Sequence, residues 1–98
     1  EFNSVPNKFI VMQNFPKPFN PSTTIKYDIQ ENAPVQVTVY DLMGNTVKNL
    51  YNGYQVSGVK TIDWDATNNT GDLISSGMYF YKVQVGESYE IKRMMYLK

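Results

Sequence analysis

No cysteine and no histidine occur anywhere in the sequence. Together these absences exclude disulfides, zinc centres of the Cys/His type, cysteine nucleophiles and imidazole acid–base chemistry. Charge of one sign is missing too: Lys+Arg number 9 and Asp+Glu 9. A nucleic-acid partner is therefore not expected, since such binders carry a basic excess or stripe. No apolar run approaches the ~20 residues that span a bilayer as a helix, so no transmembrane segment is expected. No secretory leader opens the chain, and an exported protein would carry one further upstream. Residues 1–8 read as a linker or a lead-in left by cloning, Glu1-Phe2 in particular.

What is present is a β composition. Tyr (8) and Phe (5) stand among many Val, Ile and Thr, a mixture suited to a pleated, half-buried surface. The 98 residues suffice for one domain and one core. Side-chain character alternates with a period of two: Ile25, Tyr27 and Ile29; Val35, Val37 and Val39; Ile62 and Trp64; Tyr79, Tyr81, Val83 and Val85. That period predicts antiparallel strands packed on one face. Polar breaks at Gln30–Pro34, Met43-Gly44-Asn45, Asn52-Gly53, Thr67–Gly71 and Ser75-Ser76-Gly77 read as turns, and Gly86-Glu87 as a tight hairpin. The pattern predicts seven strands over about 9–13, 23–29, 35–41, 46–51, 58–65, 77–85 and 89–97. No segment has helical periodicity. The expected fold is all-β, an immunoglobulin-like antiparallel sandwich over residues 9–98, or a small barrel.

The expected core is Ile25, Tyr27, Val37, Val39, Leu50, Ile62, Trp64, Tyr79, Tyr81 and Val83. The last strand is ambiguous. Ile91, Met95 and Leu97 share a face with Arg93, while Met94 and Tyr96 share the other with Lys92; either a bulge or partial cover of both faces would reconcile them. Tyr79 sits where strand F of immunoglobulin-like folds places a tyrosine that bonds back across the corner.

No residues mark a catalytic site, and none is expected. No cofactor is expected either. Asp63, Asp65 and Asp72, with Asn68 and Asn69, form an oxygen-rich set that would suit calcium. Their spacing lacks the Gly and Glu of an EF-hand loop, and loop Asn and Asp usually serve turn chemistry. Trp64, Tyr51, Tyr54 and Tyr89 could alternatively line a sugar-binding face, although the alternation around Trp64 points it into the core.

Gln13-Asn14-Phe15-Pro16-Lys17-Pro18-Phe19-Asn20-Pro21-Ser22-Thr23-Thr24-Ile25 resembles the opening of type A C-terminal sorting domains of the type IX (Por) secretion system, Q-N-Y-P-N-P-F-N-P-S-T-x-I. Phe15 and Lys17 depart from that pattern. Pro6 and Phe9 resemble its P-x-x-F lead-in. Val39-Tyr40-Asp41-Leu42-Met43-Gly44, Ser76-Gly77-Met78-Tyr79-Phe80-Tyr81-Lys82 and the terminal Lys92-Arg93-Met94-Met95-Tyr96-Leu97-Lys98 resemble later motifs of the same family. The motif residues are Asn14, Pro16, Pro18, Phe19, Asn20, Pro21, Gly44, Gly77 and Tyr79. Trp64-Asp65, Asn69-Thr70-Gly71-Asp72 and Ser76–Tyr79 are also similar to the Ig-like module of flagellar hook-capping proteins, though that family lacks the Asn14–Pro21 opening.

The first resemblance implies a non-catalytic address carried behind an N-terminal cargo domain. An outer-membrane translocon would read it. A sortase-like transpeptidase would remove it in the linker at or before about Phe9, leaving the cargo secreted or on the cell surface. Lys92, Arg93, Met94, Met95, Tyr96, Leu97 and Lys98 are the candidate recognition residues, offered as a strand edge with placed charges. The plain alternative is a seventh strand completing the sandwich. For Asn14–Pro21 the alternatives are a recognition surface and a rigid segment blunting a sheet edge. The rival function is a carbohydrate-binding or spacer module of a secreted hydrolase.

Overall fold

A computed structural model describes residues 8–98; Glu1-Phe2 and Pro6 of the lead-in lie outside the described residues. Seven strands follow in order: β1 (Phe9–Val11), β2 (Thr23–Ile29), β3 (Ala33–Tyr40), β4 (Thr46–Gln55), β5 (Gly58–Trp64), β6 (Gly77–Val85) and β7 (Ser88–Tyr96). They form two sheets, β1-β2-β5 and β4-β3-β6-β7, with every pairing antiparallel. Among the described residues there is no helix, and so none long and apolar enough to cross a membrane.

The alternation sets which side chains meet between the sheets. β2 contributes Ile25, Tyr27 and Ile29, and β3 contributes Val35, Val37 and Val39. β6 contributes Tyr79, Tyr81, Val83 and Val85. Each such side chain is worth about 1.5–3 kcal/mol when fully buried. Leu50 and Ile62, expected in the core, are only half-buried at its margin. Phe19, Ala66, Met94 and Tyr96 are buried in addition.

β7 needs no bulge. Its pairing to β6 runs unbroken from Val85↔Ser88 to Gly77↔Tyr96. Met94 and Tyr96 point inward, so Ile91, Arg93 and Met95 take the outer face. Gly86 at φ 61 opens the two-residue turn between β6 and β7, as a type II′ hairpin requires.

Two expected breaks are strand instead. Pro34 lies near the start of β3, opposite Tyr54, where a missing N–H is tolerated. Asn52-Gly53 does not turn; it continues β4, with Gly53 opposite Val35. The glycine serves close approach: a Cβ there would stand 3.0 Å from the Tyr51 hydroxyl, which folds back to donate to the Tyr54 carbonyl at 3.2 Å. The chain reverses at Val56-Ser57, where the Ser57 amide donates to Asn32 Oδ1 at 2.9 Å.

Candidate functional site

The stretch from Met12 to Ser22 joins β1 to β2 and touches both sheets. It starts beside β2: the Met12 amide donates to the Lys26 carbonyl at 2.9 Å, and Phe15 and Thr24 exchange two backbone bonds. Asn14 is buried, although asparagine favours water, because its backbone amide and both polar atoms of its side chain are engaged. Its amide donates to the Tyr81 hydroxyl at 2.9 Å, and that hydroxyl donates to the Met12 carbonyl at 2.8 Å. Its Nδ2 donates to Thr23 Oγ1 at 2.9 Å, and Thr23 Oγ1 donates to the Pro16 carbonyl at 2.9 Å. Its Oδ1 accepts from Gln13 Nε2 at 2.6 Å. A buried polar set is tolerable only when it is satisfied in this way. Burial pushes the Tyr81 phenol up to about 12. The phenol of Tyr27, whose hydroxyl donates to Gln55 Oε1 at 2.7 Å, rises likewise to about 12, again chiefly through burial.

After Pro16 the chain crosses to the other sheet. The Phe19 amide donates to the Met95 carbonyl and the Leu97 amide donates to the Phe19 carbonyl, both at 3.1 Å. Phe19 therefore runs parallel to the end of β7 as one residue of an added strand. Its ring stacks on Tyr96 at 5.3 Å and tilts against Trp64 at 5.7 Å, while Trp64 meets Tyr79 edge-on at 6.0 Å. These four rings close one end of the sandwich. Gln13 Nε2 reaches the Arg93 carbonyl at 2.7 Å. Pro16, Pro18, Asn20 and Pro21 stay exposed around the buried Asn14 and Phe19.

The opening and the terminal strand are thus one structure, although Gln13 and Arg93 are 80 residues apart. Between them lies a shallow groove of about 280 Å³ lined by Gln13, Lys17, Met78, Lys92, Arg93 and Met95 among others. Glu90 pairs with Lys92 at 3.2 Å, and Lys17 and Arg93 are the groove's other cations among the described residues. Of the terminal candidates, Met94 and Tyr96 are core residues and unavailable to a partner. Arg93, Leu97 and Lys98 are exposed, and Lys92 and Met95 are half-buried. The Lys98 amide donates to Ser76 Oγ at 3.0 Å.

The remaining motif residues have local structural reasons. Asp41 Oδ1 accepts from the amides of Met43 and Asn45, both at 2.9 Å, and Gly44 completes this turn at φ 86. Gly77 opens β6 at φ 152, another conformation that L side chains rarely adopt. The Tyr79 hydroxyl donates to the Ser75 carbonyl at 2.7 Å, the corner bond its position implies.

The structure does not bring the calcium candidates together. Asp63 accepts from Thr24 Oγ1 at 2.7 Å, Asp65 from Thr67 Oγ1 at 2.6 Å, and Asp72 from Thr70 Oγ1 at 3.0 Å. Asn68 Oδ1 accepts from the amides of Thr70 and Asp72, and Asn69 Oδ1 accepts from the Asn49 amide at 2.9 Å. The Thr67 bond comes first among the causes that hold the Asp65 carboxyl below its ordinary range; the Lys48 ammonium adds to it. No group of three or more acidic residues could hold a metal among the described residues. The aromatic platform is not assembled either. Trp64 is in the core, and the exposed Tyr54 and Tyr89 lie on β4 and β7, opposite edges of one sheet.

Three strands facing four, with an aromatic corner at β6, define an immunoglobulin-like β-sandwich. The chain belongs to the FlgD Ig-like domain family, whose model matches residues 19–88. That match stops short of Gln13–Pro18 and of β7 beyond Ser88, the two segments that build the groove. No curated protein matches the chain. Among solved structures, dimeric latent PorU from Porphyromonas gingivalis is similar over 96% of this chain, at TM-score 0.74 and 24% identity. PorZ, described as an essential bacterial surface component of the type-IX secretion system of the same organism, is similar over 90%, at 0.59 and 23%. FlgD from P. aeruginosa is similar over 96%, at 0.63 and 18%. This chain spans 10% of the PorU chain, 11% of the PorZ chain and 74% of the FlgD chain. At these identities the likenesses establish the shared fold.

Gln13, Thr23 and Gln55 escape sequence reasoning as structural residues. Each is a polar side chain with a partner outside its own strand or turn, from Thr23 and Pro16, 7 residues apart, to Gln13 and Arg93, 80 apart, and alternation carries no signal for such a bond.

Proposed function

We propose that this domain is a non-catalytic sorting and attachment module of an exported protein, read at the outer membrane by a type IX translocon and then cut away by a sortase-like transpeptidase. The observation that carries the reading is the union of the two motif-bearing ends. The opening segment is bonded to the last strand through Gln13 and Phe19, so a reader meets both on one surface, with Lys17 and Arg93 at the groove. The motif resemblance along the chain supports it, as does the likeness in fold to PorU and PorZ. The cargo then precedes this domain, and the product lies outside the cell or on its surface.

Deleting Lys92–Lys98 is a poor test, because it removes Met94 and Tyr96 from the core. Charge reversal at Lys17 and Arg93 spares the core, and surface changes of this kind usually shift stability by within about 0.5 kcal/mol. In the parent protein, Lys17→Glu with Arg93→Glu should leave the melting temperature in place and strand the cargo in the periplasm. Normal surface display of that folded double variant would overturn the proposal.

A further inference from the structure

Among the described residues no strand pairs with the outer edge of β7 from Ser88 to Arg93, and the chemistry of that edge matches itself. Along an edge strand, alternate residues turn their backbone groups outward. On β7 these are the odd-numbered ones. The Arg93 and Met95 carbonyls accept from Gln13 and Phe19, and the amide of Leu97, just beyond the strand, donates to Phe19. Those contacts close the far half of the edge. Among the described residues the near half has no strand beside it, since β7 ends its sheet. Tyr89 and Ile91 there are 60% and 50% exposed.

We propose that two copies of this chain associate through β7, antiparallel, about a two-fold axis at Ile91. Outward groups on odd residues admit only registers that pair odd with odd. An axis at Glu90 sets Glu90 against its own copy, and an axis at Lys92 sets Lys92 against its own; like charges directly opposite repel. An axis at Arg93 does the same and runs into the Phe19 segment. An axis at Tyr89 shortens the pairing to Ser88–Glu90.

The axis at Ile91 has none of these faults. Ile91 meets Ile91 as a hydrogen-bonded pair exchanging two N–H···O bonds. Glu90 meets Lys92 on both sides of the axis, at non-hydrogen-bonded positions where side chains come closest. Glu90 and Lys92 already attract within one copy at 3.2 Å, and pairing extends this into a line of alternating charge. Tyr89 meets Arg93, a ring against a guanidinium. The Arg93 carbonyl keeps Gln13 on one lone pair and offers the other to the incoming Tyr89 amide. The match ends at the Gly86-Glu87 turn, opposite Met95, where Phe19 takes over the edge. The product is one continuous eight-stranded sheet.

The absence of native cysteine makes the test clean. Cα atoms in a hydrogen-bonded antiparallel pair stand about 5.5 Å apart, within disulfide range. Under mild oxidation the Ile91→Cys chain should cross-link to a dimer about tenfold or more faster than Val59→Cys, because pairing raises the local thiol concentration. Val59 is slightly more exposed than Ile91, at 55%, on the β5 edge. Equal rates would mean random collision and overturn the proposal.

Sedimentation across a concentration series provides a second reading, independent of whether Ile91→Cys folds. The wild type should shift toward dimer. Lys92→Glu should stay monomeric, and Glu90→Lys with Lys92→Glu should regain the dimer. A wild-type monomer at every concentration, or a Lys92→Glu variant that pairs as well as wild type, would overturn it.

Discussion

Replacing Phe19 with alanine should destabilise the domain by about 3–5 kcal/mol, the usual cost of emptying a fully buried aromatic site. Phe19 is 2% exposed, and its ring contacts both Tyr96 and Trp64. The cavity cannot collapse easily. The Phe19 backbone is held by Met95 and Leu97 on one side, and Trp64 is held by its own bond from Nε1 to the Thr67 carbonyl at 2.9 Å. For a domain of this size the melting temperature should fall by about 4–8 °C per kcal/mol. Calorimetry on Phe19→Ala beside Phe15→Ala makes the comparison sharp. Phe15 belongs to the same motif but is 77% exposed, and its loss should cost within about 0.5 kcal/mol. Equal effects at the two positions would refute the assignment of Phe19 as the closing plug.

The second large effect is alkaline. Tyr27 and Tyr81 ionise near pH 10 when unfolded and only at about 12 when folded. The fold therefore favours their neutral form. Their contribution is fully present below pH 10 and is lost as pH rises from 10 to 12. Over that window each tyrosine should lower the unfolding free energy by about 1–1.5 kcal/mol per pH unit. Two tyrosines across two units remove several kcal/mol, a large part of the about 5–15 kcal/mol that a small domain possesses. Urea unfolding from about pH 8 to pH 12 should show a flat profile, then a steep decline. In Tyr81→Phe the decline should be about half as steep, from a lower starting point, because the Asn14 amide and the Met12 carbonyl lose their shared partner. A profile that stays flat through pH 12 would contradict the burial of both phenols.

Alternation made the strands legible because one face of each is buried: Val35, Val37 and Val39 could lie on a common side only if β3 is extended. The tyrosine corner and the Asp41–Gly44 turn were legible for a similar reason, since each is a local bond with a fixed residue spacing. Non-local causes were not. Gly53 reads as a turn and is a strand residue under the Tyr51 hydroxyl. Ala66 is buried at φ 63, a left-handed conformation that nothing in its own identity announces. The ambiguity of β7 was decided by the neighbouring strand. Even-numbered residues pair inward against β6, and that alone puts Tyr96 inside and Ile91 outside.

The candidate site was half visible. Both motif-bearing segments could be named from the sequence, and nothing in either announces the other. Their union depends on the turn that carries Phe19 from the three-stranded sheet to the edge of the four-stranded one. Phe19 has a structural role in the opening: its side chain is core, and its backbone covers the edge of β7. What a partner can touch is the remainder, chiefly Lys17, the exposed prolines and the outward face of Arg93 and Met95.

Amide hydrogen exchange tests that union most directly. If the opening is bonded to the last strand, the amides of Phe19 and Leu97 should exchange only with global unfolding, as slowly as core amides of β3 and β6. Exchange at Phe19 and Leu97 as fast as at an exposed loop would show two independent ends, and the composite surface would not exist.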